Sequence, residues 1–272
     1  RYDVRRTLMC FRKTNSDFSG VNLAITGNVP QGAGLSSSAS FEMAILKTIV
    51  DLYQLDLDGV AAALLGQRAE NEFVGCNCGI MDQLVSSLGL VGHAMLLDCR
   101  SLTYQDAPIP KGRVILVVNS NVQRGLVDSE YNARRQQCEE VARVLDVRAL
   151  RDVSLEQLND AAENLSEEQY RRARHVVTEN ARTVAAMTAM QANDIKTLGS
   201  LMGQSHDSLR DLYEVTTKEL AGLVSIIKGE TGDAAGVRMT GGAFGGCVVA
   251  FIPYASDPAV SDAAGGPESP LL

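Results

Sequence analysis

Long hydrophobic runs are missing from this chain. No stretch approaches the roughly 18 uncharged apolar residues of a membrane span, and no basic-then-apolar signal stands at its start. Cysteine is sparse, six in 272 residues, too few for the disulfide framework of a small secreted domain. The thiols read as reduced, and a cytoplasmic protein is expected. An excess of positive charge is missing too. Lys and Arg total 25 against 33 Asp and Glu, a net charge of −8, which argues against nucleic-acid and membrane partners while leaving room for a local basic pocket. The three histidines, His93, His175 and His206, stand far apart and read as strand-edge or helix-surface residues. Cys76-Asn77-Cys78 has no second Cys or His pair at zinc spacing. Arg134-Arg135 and Arg171-Arg172-Ala173-Arg174 have acids nearby on predicted helices and read as solvated faces.

What remains is an ordinary globular composition, 45% hydrophobic and 21% charged, in a length that suits one large or two modest domains. Apolar spacing gives helical character around Val4, Leu8, Met9 and Phe11. It predicts further helices from Ser37 to Leu52, from an Asp58 cap to about Phe73, and from Met81 to Leu88. Longer helices are predicted over Ser129–Leu145, Glu167–Ala192, Asp194–Ser205 and Thr216–Lys228. Strands are expected at Val21–Thr26, Ala94–Leu97, Val114–Val118 and Cys247–Ile252, and a turn at Gly75–Gly79. The mixture is α+β with a boundary at 110–125, around Pro108-Ile109-Pro110-Lys111-Gly112. We divide the chain into 1–115, 116–254 and a Pro/Gly-rich tail, 255–272, expected to be disordered. The chain starts Arg1-Tyr2-Asp3 and reads as a fragment.

The strongest chemistry lies in Pro30-Gln31-Gly32-Ala33-Gly34-Leu35-Ser36-Ser37-Ser38-Ala39-Ser40. Two glycines let backbone N–H groups approach a ligand, serines add hydroxyls, and a helix begins at once with its positive end facing the loop. Together they make an anion site suited to phosphates. No Gly-Lys-Ser/Thr closes a Walker A loop, and Ser37 stands where a dinucleotide fingerprint needs glycine. The plainer alternative is a serine-capped helix after a flexible turn.

This run resembles the nucleotide loop of the GHMP small-molecule kinases. Glu70-Asn71-Glu72-Phe73-Val74-Gly75-Cys76-Asn77-Cys78-Gly79-Ile80-Met81-Asp82-Gln83 is similar to the galactokinase branch of that family, and so is Leu97-Asp98-Cys99-Arg100-Ser101. Asn119-Ser120-Asn121, the segment from Ser129 to Glu139, and Val237-Arg238-Met239-Thr240-Gly241-Gly242-Ala243-Phe244-Gly245-Gly246-Cys247 continue the likeness. It implies the GHMP kinase fold: a partial N-terminal domain like ribosomal protein S5 and a ferredoxin-like C-terminal domain.

The resemblance also implies an activity, transfer of the ATP γ-phosphoryl group to the anomeric hydroxyl of D-galactose with Mg²⁺ as cofactor. Asp82 matches the family's base, and a carboxylate beside the sugar hydroxyl can accept its proton. Gly32, Ala33, Gly34, Leu35, Ser36, Ser37 and Ser38 match the nucleotide contacts. Ser38 and Glu70 match the magnesium positions, a hydroxyl and a carboxylate that suit a hard cation completed by phosphates. Glu72 rivals Glu70, since about 200° of helical turn separates them and only one can face the site. Gly79 and Tyr131 match sugar contacts, with Tyr131 alternatively a half-buried helix anchor. Around Arg124 the match slides by one against Gln123.

Two departures qualify the likeness. Ala243 stands at the usual third glycine of the second loop, a strain of order 1 kcal/mol if that position needs positive φ. The family's N-terminal motif, a Gly-Arg-Val-Asn-Leu-Ile-Gly-Glu-His-Thr-Asp-Tyr-like run, has no counterpart before Val21. The piece alone is therefore expected to be poorly active or unstable, and its parent active. Two other readings stay open: a catalytically silent sensor of galactose and ATP, and a GHMP kinase for another sugar. ATP and galactose are the expected partners, and a monomer is favoured.

Overall fold

Helix α1 (Tyr2–Thr14) and helix α2 (Ser37–Tyr53) form because their apolar residues recur on one face. Ala39, Met43, Leu46 and Ile49 of α2 are all buried. The last three pack with Cys10 and Phe11 of α1 and with Leu65 and Ala69 of α3 (Gly59–Ala69). The computed structural model describes residues 2–14, 18–74, 78–122, 127–241 and 244–254. Asp58 starts α3 as its sequence position predicts, its Oδ1 accepting the Ala61 N–H at 2.8 Å. Helix α3 then widens into a π-helical turn, Glu70–Val74. Helix α4 (Met81–Leu88) follows. Next comes an antiparallel hairpin of β1 (His93–Leu97) and β2 (Tyr104–Pro108), with Ala94 opposite Ala107.

The C-terminal half is built on a three-stranded antiparallel sheet. Strands β3 (Arg113–Asn119), β4 (Gly236–Thr240) and β5 (Cys247–Pro253) lie in the order β3-β5-β4. Register pairs Val117 with Val249 and Val237 with Ala250. Between β3 and β4 the chain runs through α5 (Val127–Val144), α6 (Leu155–Asp160), α7 (Glu167–Gln191), α8 (Ile195–Asp211) and α9 (Lys218–Thr231). Leu220 and Val224 of α9 close over Val237, Met239, Val248 and Ala250. A second cluster joins Val141 and Ala142 of α5 to Leu150, Leu158 and Ala173.

Several expectations need correction. Val21–Thr26 has strand-like composition but forms no strand; residues 18–28 find no ladder partner among the described residues, and Ile25 is half exposed. His175 and His206 are buried rather than on helix surfaces, because α7 packs on α8 and α8 on β4. Arg172 is buried, 1% exposed, and is not on a solvated face. Its guanidinium bonds the Leu212 carbonyl and the carboxylates of Glu168 and Glu214. Strands β2 and β4 and helix α6 were not predicted: β2 is largely polar and ends in Pro108, and β4 carries Gly236 and Arg238. Among the described residues no helix is long and apolar enough to cross a membrane. The tail 255–272 lies outside the described residues.

Candidate active site

The loop before α2 is bent by left-handed backbone. Gly32 and Gly34 have φ of 70° and 75°, and Ser36, a non-glycine residue, has φ 57°. Holding Ser36 there costs on the order of 1–2 kcal/mol. Its side chain makes no capping bond to the helix. The amides of Ser37, Ser38 and Ala39, the open first turn, therefore have no partner among the described residues. A serine that caps would have consumed one of these donors. Here the positive end of a 17-residue helix is open to an anion. Ala33 is the buried member of the loop, and its carbonyl accepts the Cys247 thiol at 3.2 Å. That bond ties the loop to the start of β5.

Helix packing carries the other residues toward the loop. Gln83, the third residue of α4, is buried and donates to the buried Glu42 carboxylate at 3.3 Å. Glu42 lies five residues into α2, about 7.5 Å along the axis from Ser37 at 1.5 Å per residue. The N-terminal turns of α2 and α4 thus lie side by side, with Asp82 exposed on the first turn of α4. Gly66 makes this packing possible, since a Cβ there would stand 2.6 Å from Met43 Cε and 3.0 Å from Gln83 Cγ. Helices α2 and α3 are joined by a short turn and run antiparallel, Gly66 opposite Glu42 and Met43. Glu70 lies four residues beyond Gly66, at the start of the π-helical turn. Glu72 is held elsewhere, by Arg68 at 2.5 Å and Lys13 at 3.3 Å, and these cations depress its pKa. Of the two carboxylates, Glu70 has no ion-pair partner among the described residues. Ser38 is exposed at the start of α2. A hydroxyl and a carboxylate outside any ion pair are donor types that suit a hard cation such as Mg²⁺. Among the described residues no group of three His, Cys, Asp or Glu gathers as a metal site.

A cavity of about 880 Å³ lies along α5. Gly79 lines it, together with Arg134 of α5 and Gly241 and Phe244 of the second glycine loop. Gly79 is set by Gln67 Nε2, which donates to the neighbouring Cys78 carbonyl at 3.2 Å. The second loop is bent by positive φ at Gly241, Phe244, Gly245 and Gly246. The Phe244 N–H donates to the Val215 carbonyl, and Ser120 donates twice to the Gly246 carbonyl. Arg134 lies 5.8 Å from the Phe244 ring centroid and bonds the Tyr213 and Glu214 carbonyls. It is thus structural, contrary to the solvated face expected of it. Tyr131 lies on α5 one turn before Arg134, and its side chain falls outside the described residues. So do Gly75, Cys76, Asn77, Gln123, Arg124, Gly242 and Ala243. Sequence reasoning missed Glu42. An acid three residues from Ala39 and four from Leu46, on the apolar stripe of α2, was the available signal.

Two family models match: GHMP kinases N terminal domain over residues 4–90 and GHMP kinases C terminal over 186–264. The chain belongs to the GHMP kinases, a family of ATP-dependent kinases. Within that family it is similar to Lactococcus lactis galactokinase, solved in complex with galactose. Identity is 31%, TM-score 0.84, and the match covers 96% of this chain and 68% of that one. At 19% identity and TM-score 0.56 it shares the fold of Leishmania major mevalonate kinase, covering 99% of this chain and 74% of that one. Streptococcus pneumoniae phosphomevalonate kinase shares it at 13% identity and TM-score 0.60, over 93% and 74% of the two chains.

Proposed function

We propose that this protein is a galactokinase, phosphorylating the anomeric hydroxyl of D-galactose from ATP. The observation that carries the reading is the pairing of the uncapped N-terminus of α2 with Asp82 on the adjacent first turn of α4. The free amides of the Gly32–Ser38 loop bind the phosphate tail, and the helix end stabilises its negative charge. Bound Mg²⁺ supplies charge neutralisation on the phosphate oxygens, and Ser38 and Glu70 are the residues to hold it. A Cβ added at Gly79 would meet nothing within 4 Å, so this position leaves open space for the sugar beside Asp82. The family likeness assigns a further sugar contact to Tyr131 on α5. Asp82 orients the anomeric hydroxyl and takes its proton as that oxygen attacks the γ-phosphorus, and ADP departs with the bridging oxygen's electrons.

Similarity to a galactokinase at 31% identity supports galactose over mevalonate, whose kinases match at fold level only. The test is sugar-dependent ADP release from Mg-ATP by the full-length parent across a panel of hexoses, galactosamine and mevalonate. Turnover confined to galactose is the expected result. Turnover only with another acceptor, or galactose binding without ADP release, would overturn the reading.

A further inference from the structure

The turn of the β1–β2 hairpin meets the C-terminal half through two crossed, bidentate ion pairs. Arg100 NH1 and NH2 bond the Asp152 carboxylate at 2.8 and 2.7 Å, and Arg151 NH1 and NH2 bond the Asp98 carboxylate at 2.7 and 2.6 Å. Each partner contributes one acid and one base, so the contact is charge-neutral and directional. Paired guanidinium–carboxylate forks of this kind fix orientation as well as distance. Both sides are stiff before they meet. Asp98 also accepts the N–H groups of Arg100 and Ser101, at 2.8 and 3.1 Å, which locks the turn. Across from it, Arg151 and Asp152 sit in a 3₁₀ turn, Leu150–Asp152, whose Leu150 is buried. The turn is thus pre-ordered, and less side-chain entropy is lost than in an ordinary surface pair.

What each side is anchored to gives the contact its meaning. Leu97 and Leu102, flanking the turn, pack against Ile80 and Leu84, which bracket Asp82 at the start of α4. Leu150 packs with Val141 and Ala142 of α5, the helix that carries Tyr131. Both arms fall between residues 90 and 186, outside the stretches matched by the two family models.

We propose that Asp98, Arg100, Arg151 and Asp152 form a clasp that sets the position of α4 relative to α5, and so of Asp82 relative to the sugar. These are positioning residues. The proposal rests on the kinase reading for its catalytic consequence, though not for the clasp itself. Sub-ångström errors in placing a reacting group matter, since a misplacement of about 1 Å can cost about a hundredfold.

The experiment compares the whole wild-type protein, Arg100→Asp, Asp152→Arg and the Arg100→Asp/Asp152→Arg exchange. This pair is chosen because Asp98 has a second duty in its turn. Two readouts are taken: kcat and KM for galactose and ATP, and the distance between spectroscopic labels at exposed Val85 on α4 and Val144 on α5. Each single reversal should broaden the distance distribution and lower kcat about tenfold. KM for ATP should stay within about twofold, because none of the four clasp residues belongs to the α2 loop. The exchange should restore both readouts. An unchanged distance distribution in the single variants would overturn the clasp, and so would an exchange that restores neither readout. A moved distance with unchanged kcat would overturn its positioning role. A wild-type protein without galactose turnover would overturn the kinase reading alone, with the distances still deciding the clasp.

Discussion

Ser154, Ser166, Asp194 and Thr217 each accept a first-turn N–H of α6, α7, α8 and α9, and the first two complete reciprocal capping boxes with Gln157 and Gln169. Helices α2 and α4 begin differently. Ser36 stands at the start of α2 in a left-handed conformation with its hydroxyl making no capping bond, and Ile80, before α4, has no side chain able to cap. Where a helix end serves the fold, the sequence spends a side chain on its free amides. At the candidate site the amides are left open, which is tolerable because the loop is partly exposed and a phosphate can satisfy them.

The largest expected effect breaks this contrast at its chemical centre. Asp82→Asn keeps the shape of α4 but removes the proton acceptor, so kcat should fall by about a hundredfold or more while ATP affinity is retained. Single-turnover kinetics and calorimetry separate the two quantities.

The C-terminal half buries a histidine. His175 Nδ1 faces Ser208 Oγ at 2.9 Å, its ring stacks on Tyr213, and desolvation lowers its pKa from 6.5 to about 4. Glu179 opposes that shift, and Arg182, Arg238 and Arg172 reinforce it. A histidine whose folded pKa is depressed binds its proton more readily in the unfolded chain. Its stabilising neutral form is thus fully present above about pH 6.5 and lost as pH falls toward about 4. The unfolding midpoint should drop across that window, and His175→Gln should flatten the drop.

Gly32→Ala tests the open loop by conformation alone. At φ 70° an added Cβ meets no atom within 4 Å, so the cost is backbone strain without collision. About 1 kcal/mol of it should appear as roughly fivefold weaker nucleotide binding, read by calorimetry.

The smallest effects sharpen the comparison most directly. Ser166→Ala removes a cap and should lower stability by about 1 kcal/mol without altering turnover. Ser36→Ala removes a hydroxyl that caps nothing, and the denaturation midpoint should move by less than about 0.5 kcal/mol equivalent.

Much of this was legible in the residues. The amphipathic stripe of α2, the Asp58 cap and the span of α7 all follow from local periodicity and side-chain chemistry. The Val21–Thr26 expectation failed because strand-forming residues make a strand only when a neighbour offers a ladder. Buried His175, His206 and Arg172 were misjudged for a related reason: a helix shows its polar residues in sequence, but not which face another helix will cover. Glu42 was overlooked in the same way, although its place on an apolar stripe marked it.

Composition and spacing by themselves determined most of the helices and the glycine loops, since each depends on contacts within a few residues, and the quoted motifs carried the family resemblance. Tertiary structure alone decided that α4 begins beside α2, that Glu72 rather than Glu70 is drawn into ion pairs, and that Asp98 and Arg100 meet Arg151 and Asp152 across some fifty positions of chain. Those outcomes depend on how whole elements pack, and packing is settled by shape and burial summed over surfaces that no short window of sequence contains.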